Sequence, residues 1–301
     1  MRRARSHTGF TLIEAIVVIA IIGILGAIVA VFIRLPVQNY ADSVARAEVS
    51  DEADLALRRM AREIRLALPN SIRVSSDGSA IEFLLTKAGG RYLSTDDAAS
   101  STYPPLDFTS TGSTTLTVVG QLAQALVTTD YFVVYNLGNG MAPSDAWAFS
   151  STGANSRNIA RINAAAAAGT STITLLDNPF STQSPPMPSP AYRFQIVSGP
   201  VMYACATASD GALVLTRYFG HSINATMTNP PTNATSTAPL TRRVNSCAGI
   251  FAYDTTAGTT SAAQRASLVS LTLALAARTP AGTAATSTIS LVHQVHVDNT
   301  P

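Results

Sequence analysis

The sequence predicts an α+β protein in which one long, hydrophobic N-terminal helix packs against a large antiparallel β-rich head. Two features predict this. Residues 15–33 are nineteen consecutive positions without a charged or strongly polar side chain, and beyond them apolar residues recur every three or four positions as far as residue 68, the period of a helix with one apolar face. From residue 71 the texture changes to short β-branched and aromatic runs broken by Gly, Pro, Ser, Thr and Asn, the pattern of strands and turns. With 301 residues, 47% hydrophobic and 13% charged, the chain has the material for a sizeable core and not the composition of a disordered one.

Residues 1–9, MRRARSHTG, carry Arg2, Arg3 and Arg5 directly ahead of the apolar run. Positive charge stays on the cytoplasmic side of a membrane, which sends the rest of the chain outward. As a helix, residues 15–33 are about 29 Å long, matching a hydrocarbon core of roughly 30 Å. The expected division is a leader at 1–9, a helix at 10–68 that is transmembrane over about 10–34 and amphipathic over about 37–68, and a head at 69–301. A secretory signal places its small-residue cleavage site beyond the apolar run. Here the small residue, Gly9, comes before it, so a cut at that point keeps the helix. Glu14 stands at the edge of the apolar run, where a carboxylate is costly without a cationic partner. The plainer alternative is that it snorkels to the headgroups.

The amphipathic part of the helix presents Tyr40, Val44, Ala47, Ala53, Leu57, Met60, Ile64 and Leu68 on one face. Asp54 with Arg58 and Arg59 with Glu63 are spaced as i,i+4 ion pairs, each contributing a few tenths of a kcal/mol. The acidic Asp51, Glu52 and Asp54 precede the basic Arg58, Arg59, Arg62 and Arg65, an order that suits the helix dipole if the helix ends near Leu68. Pro69 and Asn70 supply the stop. This charge run reads as a solvated face. Pro36 removes a backbone donor just outside the membrane and is expected to kink the helix, or melt it locally when subunits pack.

In the head, strands are expected at residues 72–74, 81–85, 114–119, 131–135, 172–175, 192–197, 201–205, 212–218, 250–253, 268–275 and 288–297. The Pro-, Ser- and Thr-rich stretches 181–190 and 226–239 read as exposed loops. A twisted antiparallel sheet would cover the apolar face of the helix between residues 53 and 68. Cys205 and Cys247 are 42 positions apart. In an oxidising compartment they form a bridge stabilising by roughly 3–4 kcal/mol, and otherwise they are two separate buried thiols.

The sequence contains no nucleophile elbow, phosphate-binding loop or zinc-protease motif, so no catalytic residue, cofactor or metal site is expected. The cysteines lack neighbouring ligands for zinc. Neither Asp96-Asp97 nor Asp210-Gly211 forms a calcium loop. His293 and His296 lie three apart on an expected strand, so they point to opposite faces. Removing the three leader arginines takes the formal charge from +2 to −1, and a surface that close to neutral gives no electrostatic reason to expect tight binding to nucleic acid.

The run Gly9-Phe10-Thr11-Leu12-Ile13-Glu14 ahead of an apolar helix resembles the cleavage and methylation signature of type IV pilins and type II secretion pseudopilins. That resemblance implies cleavage between Gly9 and Phe10 by a prepilin peptidase and methylation of the new amine on Phe10. It also implies that Glu14 of one subunit pairs with the Phe10 ammonium of a neighbour. The implied partners are the peptidase, other minor and major pilins through helix packing, the inner membrane and the pilus assembly platform, with a single pass and a periplasmic head. Residues 290–301, SLVHQVHVDNTP, look like the close of the MshO group, minor pilins for biogenesis of the mannose-sensitive haemagglutinin (MSHA) pilus. Residues 201–205 and 213–218, and Cys247 with Phe251 and Tyr253, resemble that group and the J-type pseudopilins. The role implied is a minor pilin of an initiating or tip complex. The alternatives are a minor pseudopilin, or a tip adhesin using residues 226–239. Residues 76–190 resemble nothing identifiable.

Overall fold

A computed structural model describes residues 9–97, 100–110, 112–149, 158–253, 268–277 and 287–301. Among the described residues one α-helix, α1 (Leu12–Ile64), is followed by twelve strands and two short 3-10 turns. The strands are β1 (Arg73–Val74), β2 (Ala80–Tyr92), β3 (Thr115–Val119), β4 (Tyr131–Val133), β5 (Ile159–Arg161), β6 (Thr172–Thr174), β7 (Arg193–Thr207), β8 (Leu213–Phe219), β9 (Ser236–Thr241), β10 (Phe251–Tyr253), β11 (Leu268–Ala277) and β12 (Ser287–His296). The protein is thus α+β, a long apolar N-terminal helix with a large antiparallel head. One sheet of nine strands runs β5-β4-β7-β2-β3-β6, with β1 added beside β2 and β8-β9 beside β7; a second runs β10-β11-β12.

The two sheets and residues 49–64 of α1 share one core. Val49, Ala53, Leu57, Met60 and Ile64 lie on one helical face and are buried with Ile81, Phe83, Val201 and Tyr203 of the large sheet and Leu271, Leu273, Leu275 and Val295 of the small one. On β11 every second residue is buried, as period-2 alternation requires of a strand with one covered face. A second core lies away from the helix, where Phe132, Phe180, Phe194, Leu116 and Ile173 close around the outer halves of β2 and β7. The β2–β7 ladder spans both cores, with register shifts on either side of Thr86.

Several expectations change. The helix ends at Ile64 rather than Leu68. Ala67 bridges Leu85, the Leu68 N–H donates to the Leu84 carbonyl, and the Thr86 N–H donates to the Leu66 carbonyl. The chain leaves the helix because β2 offers those backbone groups sheet partners. Tyr40, Val44 and Ala47 are exposed, so the apolar face that meets the head begins at Val49. The segments 192–197 and 201–205 belong to one strand, β7, which passes through Gly199 at φ +122°. The expected loop 226–239 ends in strand, since Ser236–Thr241 pairs with β8, and Pro239 is tolerated because the far edge of β9 carries no ladder among the described residues. β5 was also not expected; three residues are too few to show a period.

Candidate functional site

The segment around the expected cut is laid out for access. Gly9 and Phe10 precede the helix, and the Phe10 side chain is 80% exposed. Thr11 is the N-cap, in extended conformation (φ −87°, ψ 151°). Its hydroxyl accepts the Glu14 N–H, and Glu14 Oε2 in turn accepts the Thr11 N–H, each at 3.4 Å. This reciprocal pair satisfies two of the orphan donors at a helix start. The Glu14 carboxylate therefore has a local role in its own chain, through contacts long enough to be weak. Arg2, Arg3 and Arg5 lie outside the described residues.

Between Phe10 and Val44, large apolar side chains such as Ile19, Ile24 and Phe32 are exposed. By length and composition α1 is able to cross a membrane, and its most apolar window is unburied. Pro36 sits inside α1, which continues as helix on both sides of it. Residues 12–48 of the helix are thus largely bare, and residues 49–64 are seated on the head.

Where the helix ends against the head, a charged group fixes it. Glu63 Oε2 accepts both Arg217 Nε from β8 and the Tyr203 hydroxyl from β7, each at 2.7 Å. The expected Arg59–Glu63 pair is not formed, because Glu63 faces the sheet; the Asp54–Arg58 pair is formed at 2.7 Å on the solvent side. Burial, followed by the neighbouring Glu63 carboxylate, pushes the Tyr203 hydroxyl well above the usual tyrosine range.

A second buried group was not legible beforehand. Arg73 Nε donates to Glu82 Oε2 at 2.6 Å, and its terminal nitrogens reach the carbonyls of Asn224 and Ala225. His221 Nε2 lies 2.6 Å from Glu82 Oε1. A carboxylate engaged with Arg73 accepts, so Nε2 carries the hydrogen. The Arg73 guanidinium stacks 3.7 Å from the Trp147 ring centroid, and Trp147 Nε1 donates to the Ser71 carbonyl. Both Glu82 oxygens are occupied, which makes the cluster a clamp joining β1, β2 and the β8–β9 connection rather than a general base. Its members are 152 positions apart at the extreme, and no sequence period marks them.

Beside this clamp a cavity of about 660 Å³ opens at the β2–β7 register shifts, lined by Lys87, Asp130, Tyr131, Arg161, Phe219 and His221 among others. Lys87 and Asp130 neutralise each other at 2.8 Å. Cys205 and Cys247 are bonded, tying β7 to the segment before β10. His293 lies on the half-buried face of β12 and His296 on the exposed face. Asp97 accepts Ser94 and Arg91, and Asp210 pairs with Arg242. Among the described residues no three His, Cys, Asp or Glu side chains converge as a metal site.

Residues 4–30 match the family model of the prokaryotic N-terminal methylation motif. The match covers the second part of the leader, the expected cut and the start of α1, and it supports a type IV pilin-like chain, a structural class, anchored in the membrane, processed by a prepilin peptidase and assembled with other pilins. No curated protein and no solved structure matches the chain.

Proposed function

We propose that this protein is a minor pilin which assembles through its N-terminal helix into an initiating or tip complex of an MSHA-like type IV pilus. The supporting observation is the division of α1: one unbroken helix whose N-terminal half is apolar and bare while one face of residues 49–64 is fixed in the head. An apolar helix face of that length needs lipid first and other helices afterwards. In this reading the chain crosses the inner membrane once, with its head in the periplasm. Cleavage after Gly9 frees the Phe10 amine, which is methylated. When a neighbour docks with its Phe10 ammonium beside Glu14, both charges are neutralised where an unpaired one would cost several kcal/mol. Pro36 leaves the Phe32 carbonyl without an i+4 donor and is the point where the helix bends or melts on packing.

The experiment is mass analysis of the N-terminus in membranes and sheared filaments, together with counts of pili in cells lacking the protein. A methylated Phe10 and a loss of pili are expected. A different mature start would overturn the reading, and intact pili with lost secretion of folded enzymes would reassign the protein to a type II secretion pseudopilus.

A further inference from the structure

We propose that the solvent face of α1 between residues 44 and 66 is a contact between two copies of this chain, packed parallel and offset by eleven residues. The proposal rests on the assembly reading above and adds to it a partner, a surface and a register.

Val44, Glu48, Asp51, Leu55, Arg59 and Arg62 fall within an arc of about 80° at 100° per residue, opposite the buried stripe of Val49, Ala53, Leu57, Met60 and Ile64. All six are exposed. Leu55 is 71% exposed, and Leu66, just past the helix end, 51%. Among the described residues Glu48, Asp51, Arg59, Arg62 and Arg65 form no ion pair and no side-chain hydrogen bond within the chain. The helix dipole accounts for arginines in the last turn but not for Glu48 and Asp51, which are far from either end, since the effect fades within one turn of a terminus.

An offset of eleven residues resolves this face. It brings Glu48 of one copy beside Arg59 of the other, Asp51 beside Arg62 and Asp54 beside Arg65, with Asp54 shared with its own Arg58. The same offset sets Val44 against Leu55 and Leu55 against Leu66. Eleven residues make three turns, about 16 Å along the axis, and return to nearly the same face. Packing in register would instead oppose like charges along the whole stripe. Antiparallel packing is incompatible with two apolar N-terminal halves entering one membrane from the same side. The contact is heterologous: one copy uses its arginines and the other its acids, so the second half of the face on each copy is left for other subunits. The Phe10–Glu14 pairing needs an offset of only four residues, roughly 6 Å. The two contacts therefore belong to different neighbours, and one can fail without the other.

The test uses full-length chains. The two native cysteines are joined to each other, so introduced thiols are selective probes. Copies carrying Asp51→Cys and differently tagged copies carrying Arg62→Cys are co-expressed, and sheared filaments, where the helices have left the bilayer and can be staggered along the axis, are oxidised. The mixed product, joining position 51 of one copy to position 62 of the other, should dominate over both like-with-like products. Asp51→Arg and Arg62→Asp should each abolish cross-linking through a Leu55→Cys and Leu66→Cys pair, and the two reversals in one chain should restore it. Equal like-with-like products, or no product from a processed and filament-incorporated chain, overturns the offset while leaving the assembly reading intact. Failure of the double reversal to restore cross-linking means that a different subunit occupies this face, and it overturns the copy-to-copy contact. An unprocessed chain absent from filaments sinks both.

Discussion

Arg217 and Glu63 meet at 2.7 Å across the junction between β8 and the last turn of α1, and the Glu63 oxygen that receives the guanidinium also receives the Tyr203 hydroxyl. Apolar packing permits a helix to slide or rotate on a sheet, whereas a doubly bonded, partly buried carboxylate defines one position. Replacing Arg217 with Met leaves Glu63 short of its cation and is expected to destabilise the protein by about 1–3 kcal/mol, with Tyr203→Phe costing about 1–2 kcal/mol. Because the two donors share one oxygen, either single variant leaves Glu63 with one of them while the double variant leaves it with neither, so the double variant should cost more than the sum. Trp147 is buried and is the chain's one tryptophan, so its fluorescence during chemical unfolding reads all three variants.

The turn between β1 and β2 gives a second expectation. Ser75 donates its hydroxyl to Asp77, and Ser79 adds its N–H and hydroxyl; these bonds lower the Asp77 pKa from 3.8 to about 2. A carboxyl whose folded pKa is depressed contributes stability above its unfolded value, and that contribution is lost as pH falls through the folded one. Asp77 thus stabilises the head above about pH 4 and loses this effect between about pH 4 and 2. Melting curves across that window should be flatter for Asp77→Asn than for the native chain, and parallel curves would refute the assignment.

Gly78, in the same turn, is where the two sheets touch. Its N–H bonds within the turn, its carbonyl accepts the Phe251 N–H, and the Asp77 carbonyl accepts the Gly249 N–H. Gly78 has φ +68°, and a Cβ there would lie 2.7 Å from the Phe251 carbonyl oxygen. Backbone cannot yield as a side chain does. Gly78→Ala is expected to cost about 2–4 kcal/mol, from left-handed strain plus overpacking, measurable as a lowered unfolding midpoint with native secondary structure retained.

The bridge between Cys205 and Cys247 closes a loop of 42 positions that contains β8 and β9. Replacing both cysteines with Ser should lower unfolding free energy by about 3–4 kcal/mol, chiefly by enlarging the unfolded ensemble. An unchanged midpoint, read by the same Trp147 signal, would mean that the unfolded chain is already compact in this region.

Local chemistry made the helix, the strands and the cysteine pair legible in the sequence, because each rests on a period or on a residue type. The nineteen uncharged residues and Gly9-Phe10-Thr11-Leu12-Ile13-Glu14 are contiguous, so the span and its punctuation stand out. The fate of Glu63 is different. Spacing favoured Arg59 at i−4, but the partner chosen was Arg217, 154 positions away, because Glu63 lies on the side of the helix that the sheet covers. Arg73, Glu82 and His221 were invisible for the same reason, and β9 was hidden because Ser, Thr and Pro signal a loop unless a neighbouring strand supplies the ladder.

Thr11 and Glu14 allow the two roles of one carboxylate to be separated. As a cap, Glu14 needs only an acceptor oxygen at the third helical position, which glutamine also provides. As a counter-ion for a neighbour's ammonium it needs a negative charge, which glutamine lacks. Glu14→Gln should therefore keep the helix start, measured by circular dichroism of membranes or detergent micelles, yet fail to enter filaments. Thr11→Ala removes the hydroxyl acceptor at a cost of about 1 kcal/mol in local helix stability, while the carboxylate stays charged, so it should be processed and incorporated close to normally. The opposite pattern, with Glu14→Gln incorporated and Thr11→Ala excluded, would make the carboxylate a helix cap and nothing more, and the charge-pairing step of assembly would have to be abandoned.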